Sequence, residues 1–216
     1  MVAHIQPTTA SAVSYPDSDG QLMADNTKQF RWIVMIKEGL EWLFQNRPDV
    51  FVAGDLLWYP IEGDNTVRTA SDVLVVFGRP KGDRGSYQQW LEDNIPPQVV
   101  FEILSPGNRL TQMNQKLEFY ETYGVEEYYL YDPERQDLSG WQQLQNRLRV
   151  IDPIEGWISP RLQVRFELTS EGLELYRPDG QKFETYTEVA QQREQQQHRA
   201  EQLAAQLRAM GVEPDV

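Results

Sequence analysis

Glu102 sits where a core residue is expected. It lies inside the run Val99-Val100-Phe101-Glu102-Ile103-Leu104. In an extended strand Val99, Phe101 and Ile103 face one way and Val100, Glu102 and Leu104 the other. An ionised carboxylate among such neighbours is costly unless it is paired or binds a cation. Asp72 heads a second run, Asp72 to Phe77 (DVLVVF), continuous enough to be buried on both faces. Two acids on neighbouring strands form a hard-oxygen site that suits Mg2+ or Mn2+. Lys116 is the third piece. On a helical wheel Leu110, Met113, Leu117 and Tyr120 form an apolar arc, and Lys116 borders it beside Gln112 and Tyr120. Its stem can carry the ammonium over the sheet to Glu102. Each residue also has a plainer account: an ion pair at a strand end for Glu102, a turn acid for Asp72, and a surface pair with Glu118 or Glu121 for Lys116.

The elements that must position these groups follow from pattern. Residues 98–132 read as strand, turn (Ser105-Pro106-Gly107-Asn108), helix (108–123) and a second apolar strand at Tyr128 to Tyr131. Before it, Ile33, Ile36, Leu40 and Leu43 predict a helix over 28–45, capped by Asp25 or Asn26. Gly39 should weaken that helix by about 1 kcal/mol relative to Ala. Residues 50–53 and 55–59 read as short strands, with a bulge or bend at Gly54-Asp55. Residues 78–95 read as a long loop in which Tyr87, Trp90 and Leu91 pin a short helix. Residues 138–145, 148–151, 162–168 and 173–176 read as outer antiparallel strands with one wet face. The expectation is an α/β fold with a central mixed sheet of four or five strands. The domain lies within 23–182, preceded by a loose leader over 1–22 and followed by a helix over 183–216. In that tail Val189, Arg193, Gln196, Ala200, Leu203, Leu207 and Met210 follow heptad spacing. The seam fits a coiled coil, or a solvated helix lying on its own domain.

Composition narrows the chemistry. The 216 residues contain no cysteine, which removes disulfides, thiolate metal sites and cysteine nucleophiles. The two histidines, His4 and His198, lie at opposite ends, so a histidine metal site or a Ser-His-Asp triad is not expected. A formal charge of −13 disfavours a nonspecific nucleic-acid coat. It is compatible with an enzyme whose metal ions screen its own carboxylates. No apolar run approaches a bilayer-spanning length, and the expectation is a cytoplasmic protein that does not enter a membrane.

Taken in order, these blocks resemble the Uma2 family, abundant in cyanobacteria, within the PD-(D/E)xK nuclease superfamily. The resemblance covers residues 25 to 175. It rests on Ser71-Asp72-Val73, on VVFEILSPGN (99–108), on Gln115-Lys116-Leu117-Glu118-Phe119-Tyr120, and on YGVEEYYLYDP (123–133). It implies a restriction-endonuclease-like core and a Mg2+- or Mn2+-dependent endonuclease acting on nucleic acid, DNA first. It assigns catalysis to Asp72, Glu102 and Lys116. Metal ligation falls to Asp72, Glu102 and the Ile103 carbonyl, with Lys116 orienting the attacking water. Gln112 and Tyr120 support the site, Tyr120 by bracing the lysine. Where the family has Pro-Asp, this chain has Ser71-Asp72. Leu104 stands where the superfamily motif puts its lysine, and Gln112 where family members often carry an acid, which implies a one-metal site. Arg79, Lys81, Arg84 and Arg109 are candidates for a phosphate-binding rim. A homodimer is implied, since cutting both strands commonly takes two copies. Two other readings remain open: a nuclease fold kept as an interaction scaffold, and a small-molecule phosphoesterase.

Overall fold

The structure is a computed structural model that describes residues 13–18, 20 and 24–211. Helix α1 spans Thr27–Leu43. Asn26 caps it by accepting from the Gln29 N–H at 2.9 Å. Gly39, the weak point of this helix by propensity, has a packing reason. The Phe183 ring occupies the space a Cβ would need, and Phe183 is itself buried. That placement ties a residue of the expected C-terminal tail into the core.

Strand β1 (Val50–Tyr59) and β2 (Thr69–Phe77) follow. The first is one continuous strand, not two short ones, and the second begins three residues before Asp72. The expected loop over 78–95 contributes a further strand, β3 (Tyr87–Gln88), which pairs parallel to β1, and then a single 3-10 turn at Gln89–Leu91. Strand β4 (Val99–Ile103), helix α2 (Leu110–Thr122) and strand β5 (Glu127–Asp132) form the central unit. Strands β6 (Asp137–Leu144) and β7 (Arg147–Val150) extend one edge. The sheet therefore has seven strands, in the order β3-β1-β2-β4-β5-β6-β7, and exceeds the four or five expected. It is mixed: β4 and β5 are parallel, while β1, β2 and β4 run antiparallel to their neighbours in turn. A separate hairpin, β8 (Arg165–Thr169) and β9 (Gly172–Tyr176), packs beside α1.

Two apolar layers hold the sheet. One joins Ile33, Ile36 and Leu40 of α1 to Val73, Val75, Val99, Phe101 and the hairpin residues Phe166 and Leu175. The other joins Tyr120 of α2 to Trp58, Leu74, Val76, Val100 and Tyr128. Leu110, assigned by the wheel to the α2 apolar arc, is 79% exposed, because the helix has only just begun there. Part of the expected loose leader is tied down. The Tyr15 ring packs 5.2 Å from Tyr59 and 4.8 Å from Trp90, and the Pro16 carbonyl accepts from Tyr59 Oη at 2.7 Å. Residues 1–12, His4 included, and residues 19, 21 and 22 of that segment lie outside the described residues.

Helix α3 (Tyr186–Ala209) starts with a reciprocal capping box between Thr185 and Glu188. None of its described residues is buried. Among the described residues no helix is long and apolar enough to cross a membrane.

Candidate active site

The site forms where β2 separates from β4. The two strands pair as far as Val73 with Phe101, and the next rung would place Ser71 opposite Ile103. That rung is not made. Instead the Ile103 N–H donates to Asp72 Oδ2 at 2.6 Å, and the Ile103 carbonyl accepts from Gln29 Nε2 at 2.9 Å. Buried backbone groups must find partners, and here two side chains supply them.

Strand β1 bends at the same level. The register is unbroken, with Gly54 paired to Val73 and Leu56 to Ser71, so Asp55 falls opposite Asp72. Asp55 adopts φ 47, a left-handed conformation that Asp tolerates better than most residues. No extra residue is inserted, so this is a bend and not a bulge. Its effect is to exchange faces. Val50 and Val52 lie in the α1 layer, whereas Leu56 and Trp58 lie in the α2 layer. In β2, Ser71 reaches Tyr120 on the α2 side while Val73 faces α1. Both strands invert at the paired acids, which opens a cleft of about 760 Å³ lined by Asp55, Asp72, Glu102 and Lys116 among others.

Glu102 is 3% exposed. Its Oε2 accepts from Lys116 Nζ at 2.7 Å, and its Oε1 accepts from the Tyr120 hydroxyl. Lys116 and Tyr120 are one helical turn apart, so a single face of α2 serves both oxygens. Lys116 also donates to the Ala70 carbonyl at 2.9 Å, another group released where β2 leaves β4. Tyr120 Oη lies 3.0 Å from Ser71 Oγ. Burial would pull the Lys116 ammonium toward neutrality, but Glu102 and Asp72 outweigh it and raise its pKa. Asp72 moves the other way for an acid. Burial first, and then the charge of Glu102, push it up to about 8, with Asp55 adding to the rise and Lys116 opposing it. The cleft is short of positive charge.

The turn before α2 is fastened to the residue that precedes the α1 cap. The Ser105 N–H donates to Asn108 Oδ1 at 2.7 Å, and the Ser105 hydroxyl donates to Asp25. A Cβ on Gly107 would stand 3.0 Å from Asp25 Oδ2, which explains a glycine there. Gln112 accepts from the Arg109 N–H at 2.9 Å, so it caps α2 while lining the cleft.

Of the sequence-predicted residues, Asp72, Glu102, Lys116, Tyr120 and the Ile103 backbone converge. The proposed rim does not form from Arg79, Lys81 and Arg84. Arg79 pairs with Glu92 and Asp93, Arg84 pairs with Glu92 and lies over the Phe51 ring, and Lys81 pairs with Glu41. These side chains fasten the 78–95 segment, and none of them lines the cleft. Neither does Arg109, which stands at the α2 N-terminus. Besides Lys116, the cation that lines it is Arg68, whose Nη1 lies 3.4 Å from both Tyr59 Oη and the Asn65 carbonyl. Sequence reasoning missed Arg68, Asp55 and Gln29.

A family model described as "Uma2: Putative restriction endonuclease" matches residues 18–213. Among solved structures, one titled as a putative nuclease belonging to DUF820 from Anabaena variabilis ATCC 29413 is similar at a TM-score of 0.47 and 17% sequence identity. The match covers 62% of this chain and 72% of that one. No curated protein matches.

Proposed function

This chain belongs to the Uma2 family, and on that premise we propose that its cleft hydrolyses phosphodiester bonds of nucleic acid, DNA first, with one divalent cation. The observation that carries the reading is the convergence of Asp72, Glu102 and Lys116, from β2, β4 and α2, on one cleft. Asp72, Glu102 and the Ile103 carbonyl are the groups that would hold Mg2+ or Mn2+. They fit such an ion: the donors are all hard oxygens, and the cleft is lined by Asp25, Asp55, Asp72 and Glu102 against only Arg68 and Lys116. Among the described residues no group of three His, Cys, Asp or Glu gathers as a metal cluster. A hard divalent ion held by one or two carboxylates keeps water and substrate oxygens in its remaining places. When bound, the cation supplies charge neutralisation on the phosphate and a more acidic water.

The chain's own residues do the rest. Lys116, held charged by its carboxylate neighbours, offsets negative charge developing at phosphorus and orients water beside Glu102. Tyr120 fixes the rotamer of Glu102 from beneath. Arg68, on the cleft wall, is placed to meet a substrate phosphate.

The test is a metal panel on single- and double-stranded DNA and RNA with wild type, Asp72→Asn and Glu102→Gln. Cleavage that needs Mg2+ or Mn2+ and disappears in both variants is expected. Equal nicking by wild type and Glu102→Gln would remove the assignment.

One observation favours a second reading. Both Glu102 oxygens already have partners within the protein, as a site retained only for structure would have. In that case the exposed α3 is the working element, joining two copies through the Val189–Met210 seam. Self-association through α3 is compatible with the nuclease reading as well. Light scattering on the full chain and on a chain ending at Thr185 separates dimer from monomer, and Mn2+ titration separates enzyme from scaffold.

A further inference from the structure

Gln29 fixes what the cleft can accept. It lies in the first turn of α1 and is only 6% exposed. Its Oε1 accepts from the Asp25 N–H at 2.8 Å, and its Nε2 donates to the Ile103 carbonyl at 2.9 Å. The two bonds lock the amide. Turning it over would set oxygen against oxygen at Ile103 and N–H against N–H at Asp25. The cleft therefore presents a neutral donor to the same backbone carbonyl that, in the reading above, offers an oxygen to the cation.

Resting on that reading, we infer that Gln29 is a specificity-determining residue for the cation, holding the cleft to one divalent ion by giving the Ile103 carbonyl a neutral donor in place of an anionic ligand. A carbonyl oxygen has two lone pairs, and Gln29 engages one of them. The amide N–H carries partial positive charge, so a second cation at that carbonyl meets repulsion. Of the charged groups that line the cleft, Asp25 accepts from the Ser105 hydroxyl, and Lys116 donates to Glu102 and the Ala70 carbonyl. A glutamate in the place of Gln29 reverses the situation. Its oxygen would face the Ile103 oxygen, an arrangement that is unfavourable alone and favourable with a cation between the two.

The experiment is isothermal titration of the full chain with Mn2+ alone, together with thermal melting in EDTA, for wild type, Gln29→Glu and Gln29→Met. Wild type is expected to take up one Mn2+. Gln29→Glu is expected to take up two, or one about tenfold more tightly, and to melt below wild type in EDTA. Gln29→Met removes the hold on the Ile103 carbonyl and is expected to keep one Mn2+ at weaker affinity. Gln29→Glu with wild-type stoichiometry and affinity overturns the inference. If Gln29→Glu folds only with Mn2+ present, that dependence supports it. If it cannot be obtained at all and Gln29→Met binds as wild type does, the inference falls. Wild type that takes up no Mn2+ instead defeats the one-cation reading itself, so the two failures are told apart.

Discussion

Asp55 and Asp72 stand opposite each other across β1 and β2, at the level where both strands exchange their inward and outward faces. Burial, the charge of Glu102 and then that of Asp55 keep the Asp72 carboxyl protonated up to about pH 8. An unfolded aspartate ionises near pH 3.9, about four units lower. Between those values the folded state holds a proton that the unfolded chain has lost. The stability from this group is fully present below the unfolded pKa and is lost as the pH rises toward 8. In EDTA, the melting temperature of wild type relative to Asp72→Asn should therefore fall between about pH 5 and about pH 8. Asp55→Asn should move the upper end of that window to lower pH. Circular-dichroism melts across pH read both effects, and a flat difference would contradict the arrangement.

Lys116 neutralises a carboxylate that is 4% exposed while being 26% exposed itself. Lys116→Met leaves Glu102 without its charged partner. Breaking a buried pair from one side costs about 3–5 kcal/mol, and the solvent reaching Lys116 sets the expectation at the low end, about 3 kcal/mol. Urea unfolding measures it. Lys116→Met combined with Glu102→Gln should recover most of the loss, because no buried charge is then left unpaired. Cleavage should fall at least about 100-fold in either single variant.

Tyr120 donates to Glu102 and lies in contact with Ser71, yet reaches no open part of the cleft. Tyr120→Phe should cost about 1–3 kcal/mol of stability, the usual price of an orphaned buried acceptor. Turnover should drop less than about tenfold, since Lys116 still holds the other Glu102 oxygen. A loss of turnover as deep as that of Lys116→Met would place Tyr120 in the chemistry.

Arg68 and Arg84 should behave differently. Arg68→Ala is expected to weaken nucleic-acid binding and reduce the salt slope by about one phosphate contact. Arg84→Ala removes a guanidinium lying between Glu92 and Phe51, so it should lower stability and leave binding unchanged. Fluorescence anisotropy with labelled oligonucleotides across salt concentration, in Ca2+ to prevent cleavage, distinguishes them.

Glu102 was legible in the sequence because a carboxylate interrupts an otherwise apolar strand. Lys116 was legible because it borders an apolar arc. The strand–turn–helix–strand unit followed from period and turn residues. Asp55 and Gln29 were not legible. Asp55 follows a glycine and reads as turn chemistry, and only the β1–β2 register shows what it faces. Gln29 lies in a polar first turn, and its partner Ile103 is 74 positions away. Arg68 was overlooked beside the denser cluster at 79–84, whose charges proved to be spent on Glu92, Asp93 and Glu41. The short parallel strand at Tyr87 escaped for a related reason: two residues carry no period, and their place is set by β1.

The last residue of β4 draws its hydrogen bonds from Asp72 and Gln29 instead of from a neighbouring strand. The cleft and the end of the sheet are thus the same atoms, and a lineage that lost catalysis would still have a reason to keep Asp72 for folding. Finding that acid in a related chain is weak evidence of activity. Lys116 is the more telling residue, because a substitution that also neutralised Glu102 could remove it and leave the sheet closed.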